Sequence, residues 1–179
     1  MRRESSPPTE VGGSGFKPRT SVRGGHRSKR YASEMRQPQP CWEDVEVGQE
    51  LSGFSLEINA RRAFLSVSGS QDWYPSHFDP AFARKSGHDG IFMTTGFIQA
   101  ALVRVITDWM GNDGFLRKLR FEMRRQLRPG DTMACKGKVS EKYERDGQGC
   151  VELDVWAENE REGITTPATA VVILSRRGS

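Results

Sequence analysis

Asp72 and His77 carry the most usable chemistry in the chain. A carboxylate and an imidazole in one short loop can hold a water molecule and move its proton, because the imidazole pKa lies near neutrality. The loop is QDWYPSHFDPAFA, and its Asp79-Pro80 is the N-cap and first-turn pattern of a helix. Taken singly, each residue has a plainer reading. Asp72 ahead of Tyr74-Pro75 suits an Asx turn, and His77 suits a loop histidine bonded to backbone. Gly96 is the third candidate. It opens the longest helical pattern of the chain, where a backbone N–H at the positive helix end can stabilise a developing oxyanion. A glycine also leaves room for a substrate carbonyl to reach that N–H, although helix packing alone is an equally simple reason for it.

These groups need elements to position them. WEDVEVGQEL is a turn-rich lead-in, and ELSGFSLEI follows as a first strand. Asn59 can cap a short helix, ARRAFLSVSGS, with Gly69 as its expected stop. Asp79 caps a second short helix, PAFARKSG, which Gly87 ends. From about Thr94 to Met110, Phe97, Ala101, Leu102, Val105, Ile106 and Trp109 recur at helical spacing, which predicts a helix apolar over a wide face. Thr94 or Thr95 can cap it, and Gly111 can end it. From Leu116 onward the period changes to two. Four alternating runs follow, around Leu119 to Met123, Cys135 to Val139, Val151 to Ala157 and Ala168 to Leu174. They are joined by Arg128-Pro129-Gly130-Asp131, Arg145-Asp146-Gly147 and Asn159–Gly163.

The bulk numbers restrict the partners. The chain has 179 residues, enough for one ordinary domain. Its pI is about 9.1, but the excess of base is local. Residues 1–40 hold nine Lys and Arg against three Asp and Glu, while residues 41–179 hold eighteen against twenty. The basic pI is therefore no evidence for a nucleic-acid-binding face on the folded part, and no nucleic-acid partner is expected. Residues 1–40 are rich in Arg, Ser, Pro and Gly and are read as a disordered basic tail. Three explanations stay open for it: a solvated tail, a start placed upstream of Met35, or a targeting arm. Residues 41–179 are read as one domain. No apolar run approaches the roughly 20 residues of a membrane span. Cys41, Cys135 and Cys150 form no metal or disulfide pattern, which suits a reduced, cytoplasmic protein.

The motifs and their order carry a resemblance. Asp72-Trp73-Tyr74-Pro75-Ser76-His77-Phe78-Asp79-Pro80-Ala81-Phe82-Ala83 lies ahead of Gly96, and Leu127-Arg128-Pro129-Gly130-Asp131-Thr132 follows the next strand. Over about residues 42–176 the chain resembles the MaoC-like (R)-specific enoyl-CoA hydratase/dehydratase family. The stretches HDGIF and VRVITDWMG are similar to the subunits that hydrate steroid side-chain enoyl-CoA esters. The resemblance implies an α+β hot-dog fold, an antiparallel sheet wrapped around one long central helix at about 94–110. It implies hydration of trans-2-enoyl-CoA to (R)-3-hydroxyacyl-CoA, or the reverse dehydration. Asp72 and His77 would activate the water, and Gly96 would donate to the thioester oxygen. Tyr74, Ser76, Thr95 and Phe92 would line the substrate pocket. No metal and no cofactor are implied, since the acyl-CoA is substrate. The implied assembly is a homodimer, or a heteromer with another hot-dog subunit.

Two departures fall on the pocket wall. Tyr74 and Ser76 stand where the family usually has Asn and an aliphatic residue, and Thr95 stands where it usually has His. Arg117, Lys118, Arg120, Arg124, Arg125 and Arg128 can meet CoA phosphates or simply form a solvated strand face. His88 is expected on a surface loop, and His26 falls in the tail. Three other functions remain, one of them a small-ligand binding module without turnover. The chain can be a non-catalytic or half-active subunit of a heteromeric hydratase. It can also be an acyl-CoA thioesterase, although such enzymes place an acid on or near the central helix. Between Thr94 and Met110 the only acid is Asp108, close to the far end.

Overall fold

The computed structural model describes residues 39–178. The basic tail expected for residues 1–40 lies outside the described residues, apart from Gln39 and Pro40. Five strands form one antiparallel sheet: β1 (Glu50–Glu57), β2 (Phe115–Phe121), β3 (Thr132–Arg145), β4 (Gln148–Asn159) and β5 (Gly163–Leu174), in the order β1-β3-β4-β5-β2. Three helices precede β2: α1 (Ala60–Ser70), α2 (Pro80–Lys85) and α3 (Thr95–Met110).

The period-two pattern does what a one-sided sheet requires. Val151, Leu153, Val155 and Ala157 of β4, and Ala168, Ala170, Val172 and Leu174 of β5, are buried on one face. They pack in one cluster with Ile98, Ala101, Leu102, Val105 and Ile106 of α3. Ile98 is fully buried where the helical pattern marked Phe97, which is only partly covered. Cys135 and Cys150 are both buried, and burial pushes the Cys135 thiol up to about 12. No described helix is long and apolar enough to cross a membrane.

Local chemistry sets the element ends. Asn59 accepts from the Arg62 N–H at 2.9 Å and starts α1. The helix does not stop at Gly69. It runs through Ser70 and turns at Gln71, whose φ is 57°. A side chain in the left-handed region costs about 1 kcal/mol or more, and the Gln71 amide offsets part of this by donating to the Ser68 carbonyl. Asp146 and Gly147, at φ 51° and 77°, make the two-residue turn between β3 and β4. Asp79 Oδ1 accepts from Ala81 and Phe82 N–H groups at 2.8 and 3.1 Å. Asp79→Ala is therefore expected to lower stability by about 1 kcal/mol, seen as a melting temperature lower by about 2–4 °C.

Candidate active site

Asp72 follows Gln71, the cap of α1, and His77 ends a 3-10 turn at Pro75–His77. The turn is closed by the His77 N–H on Tyr74 O at 3.0 Å and the Asp79 N–H on Pro75 O at 2.8 Å. The chain therefore doubles back over Pro75 and points His77 at Asp72. Nε2 of His77 lies 3.5 Å from Oδ2 of Asp72. The imidazole is nearly buried, at 9% exposure, and the carboxylate is open, at 43%.

The other ring nitrogen decides the protonation pattern. Nδ1 of His77 lies 2.9 Å from the main-chain carbonyl of Phe92. A carbonyl oxygen has no proton to give, so Nδ1 carries the hydrogen. In the neutral ring Nε2 is then a bare acceptor. The Phe92 ring also stands edge-on to the imidazole, with centroids 4.8 Å apart. The Phe92 carbonyl and ring thus both hold His77. No residue-type pattern announces a backbone carbonyl.

Two acceptors only 3.5 Å apart can share one donor that sits beside both of them. A water can give one hydrogen to the carboxylate and one to Nε2, leaving its lone pairs directed outward.

Thr94 is fully buried and caps α3 through the Phe97 N–H at 3.3 Å, while Thr95 and Gly96 are exposed beside it. The Gly96 N–H falls in the first helical turn, where no intrahelical acceptor exists. A Cβ on Gly96 would meet only the Ser70 Cβ, at 3.5 Å, an ordinary contact. The chain's own packing thus gives little reason for glycine. Ser70 beside Gly96, and Phe92 beside His77, bring the start of α3 and the Asp72–His77 loop into one neighbourhood.

The remaining candidates divide. Tyr74 is 53% exposed and stands edge-on to both His77 and Phe82. Ser76 is fully buried, so within one chain it offers no surface to a substrate. His88 differs from the surface residue expected. It is half-buried, packs on the Phe92 ring at 4.9 Å and bonds Gln126 at 3.1 Å. Of the basic residues, Arg125 pairs with Glu162 and Arg128 with Asp89. Arg120 and Arg124 line a groove of about 620 Å³, floored by Trp156, Pro167 and Ala168, that includes neither Asp72 nor His77. Asp108, the acid near the far end of α3, is exposed and paired with Arg104 at 3.2 Å.

Residues 45–161 match the family model described as FAS1-like, dehydratase domain region. The chain belongs to this dehydratase family. Its fold is the hot-dog fold expected from the motifs, which it shares with MaoC-like dehydratases. The ChsH1–ChsH2 complex from Mycobacterium tuberculosis is similar at 21% identity and a TM-score of 0.66, over 73% of this chain and 98% of that one. The (R)-hydratase PhaJ1 from Pseudomonas aeruginosa gives 19% and 0.67, over 76% and 86%. A MaoC-like dehydratase from Rhodospirillum rubrum gives 21% and 0.66, over 76% and 97%. At such identities these likenesses speak for the fold alone. No curated protein matches the sequence.

Proposed function

We propose that this dehydratase-family chain adds water to trans-2-enoyl-CoA to give the (R)-3-hydroxyacyl thioester, and runs the reverse reaction. The observation that carries the reading is the Nδ1 contact with Phe92 O, which leaves Nε2 an acceptor opposite the Asp72 carboxylate. The water held by the pair attacks C3 with an outward lone pair. As the C3–O bond forms, one water proton passes to the pair, and C2 takes a proton back. The net change is one water added. Such positioned acid–base catalysis is worth about 10²–10⁴-fold. Negative charge gathers on the thioester oxygen during the attack. The Gly96 N–H, at the positive end of α3, is the donor for that oxygen. The (R) outcome follows from the family resemblance.

A second chain fits the same geometry. Trp73, Tyr74 and Phe78 stand 52%, 53% and 39% exposed around the pair, more apolar surface than a lone water site needs. The structural relative from Mycobacterium tuberculosis is itself a complex of two named chains. The functional unit we infer is accordingly a pair of hot-dog chains, identical or related. A hydration assay over short, medium, long and steroid-like enoyl-CoA esters, with native mass measured in parallel, tests both statements. Enoyl-CoA consumption by a dimer supports the reading. Free CoA released from saturated acyl-CoA would favour a thioesterase instead.

A further inference from the structure

We propose that Arg161, from the turn between β4 and β5, is a positioning residue for the Asp72–His77 pair and acts through the turn Arg128–Asp131. The proposal rests on the water-activating reading of that pair. Both halves of the pair hang from this turn. On the Asp72 side, the Gly130 N–H donates to Ile58 O at 2.7 Å and the Ile58 N–H to Asp131 O at 2.8 Å. Ile58 is fully buried and precedes Asn59, the cap of the helix that delivers Asp72. On the His77 side, the Met93 N–H donates to Leu127 O at 2.9 Å. Met93 and Leu127 are both buried, and Met93 follows the Phe92 whose carbonyl holds Nδ1. Gln126 on His88 and Arg128 on Asp89 tie the same two segments again.

The turn has the Pro-Gly form of a type II turn. Gly130 sits at φ 102°, and the Asp131 N–H closes on Arg128 O at 3.0 Å. Arg161 fixes it from outside. Its Nε and Nη2 reach the two Asp131 carboxylate oxygens at 3.1 and 2.9 Å, and Nη2 also reaches Gln126 O at 3.1 Å. Asp131 Oδ2 accepts the Arg128 N–H at 2.9 Å as well. The Asp131 side chain is only 10% exposed. Burial pushes its carboxyl up, but the bonds from Arg161 and the Arg128 N–H outweigh this and hold it below the usual carboxylate range. A two-pronged guanidinium bond of this kind fixes direction as well as distance. A fixed turn keeps the Phe92 carbonyl and α1 in one frame, and with them the 3.5 Å separation of Asp72 and His77.

The test compares Arg161→Ala, Arg161→Lys and a control, Arg104→Ala, in the full chain with any partner it binds. Three readouts are taken: the melting curve, the split between kcat and KM, and the NMR signal of the His77 Nδ1 proton. Arg161→Ala is expected to stay folded, lose about 10- to 100-fold in kcat with KM nearly unchanged, and show faster exchange of the Nδ1 proton. Arg161→Lys should fall between it and the parent, and Arg104→Ala should match the parent in all three. A folded Arg161→Ala with parental kcat and an unchanged Nδ1 signal overturns the proposal. So does a loss of kcat that merely follows the unfolded fraction. If the parent hydrates no enoyl-CoA, the functional reading fails, and the Nδ1 signal still decides whether Arg161 positions His77.

Discussion

Asp72→Asn and His77→Asn are each expected to lower enoyl-CoA hydration by about 10²–10⁴-fold while the protein stays folded. The two substitutions remove different halves of one function. Asn at 72 keeps size and loses the charge that receives a water hydrogen. The Asp72 side chain is 43% exposed, so its loss leaves no buried partner stranded. His77 is harder to replace, because its Nδ1–H is the donor to Phe92 O. Ala there would leave that carbonyl without its donor, at a cost of about 1–3 kcal/mol, and would confuse folding with catalysis. An Asn amide can still donate to Phe92 O while Nε2 disappears. Steady-state hydration rates with circular dichroism of each variant check this. Parental rates in both variants would remove the pair from the chemistry.

Gly96→Ala carries the second large effect, and its logic is the opposite of most glycine substitutions. Alanine is the better helix former by about 0.8–1.0 kcal/mol in helix interiors, and the added Cβ meets only Ser70, at 3.5 Å. Stability should therefore hold or rise slightly. Activity should fall by about 10²–10³-fold if the methyl group keeps the thioester oxygen from the Gly96 N–H. A variant at least as stable as the parent and far less active separates an oxyanion donor from a packing glycine. Undiminished activity would mean that the thioester oxygen docks elsewhere.

Much of this was legible in the sequence. Alternation at period two marked β4 and β5, and Asn59, Asp79 and Thr94 cap their helices as their types predict, because capping and burial are read from local side-chain chemistry. The pairing of Asp72 with His77 was legible only from the order of several motifs. What escaped depends on backbone or on distant contacts. The group holding Nδ1 is the Phe92 carbonyl, and every residue has a carbonyl. The bend ahead of Asp72 falls on Gln71, because a side-chain bond to Ser68 O supports a left-handed residue where glycine was the local guess. The bond from Arg161 to Asp131 spans 30 positions, beyond any local pattern. His88 has the polarity of a surface loop residue, yet Gln126 from a distant segment and the Phe92 ring half-cover it.

The central claim is that water held by Asp72 and His77 is added to C3 of an enoyl thioester. The most direct measurement is turnover of trans-2-enoyl-CoA in ¹⁸O-labelled water by the purified chain, with any partner it binds, followed by mass spectrometry of the product. The account predicts one ¹⁸O in the C3 hydroxyl, with the thioester intact and its carbonyl unlabelled, formed about 10²–10⁴-fold more slowly by Asp72→Asn. Label in a free carboxylate beside released CoA, or C3 labelling that persists undiminished in Asp72→Asn, would contradict it.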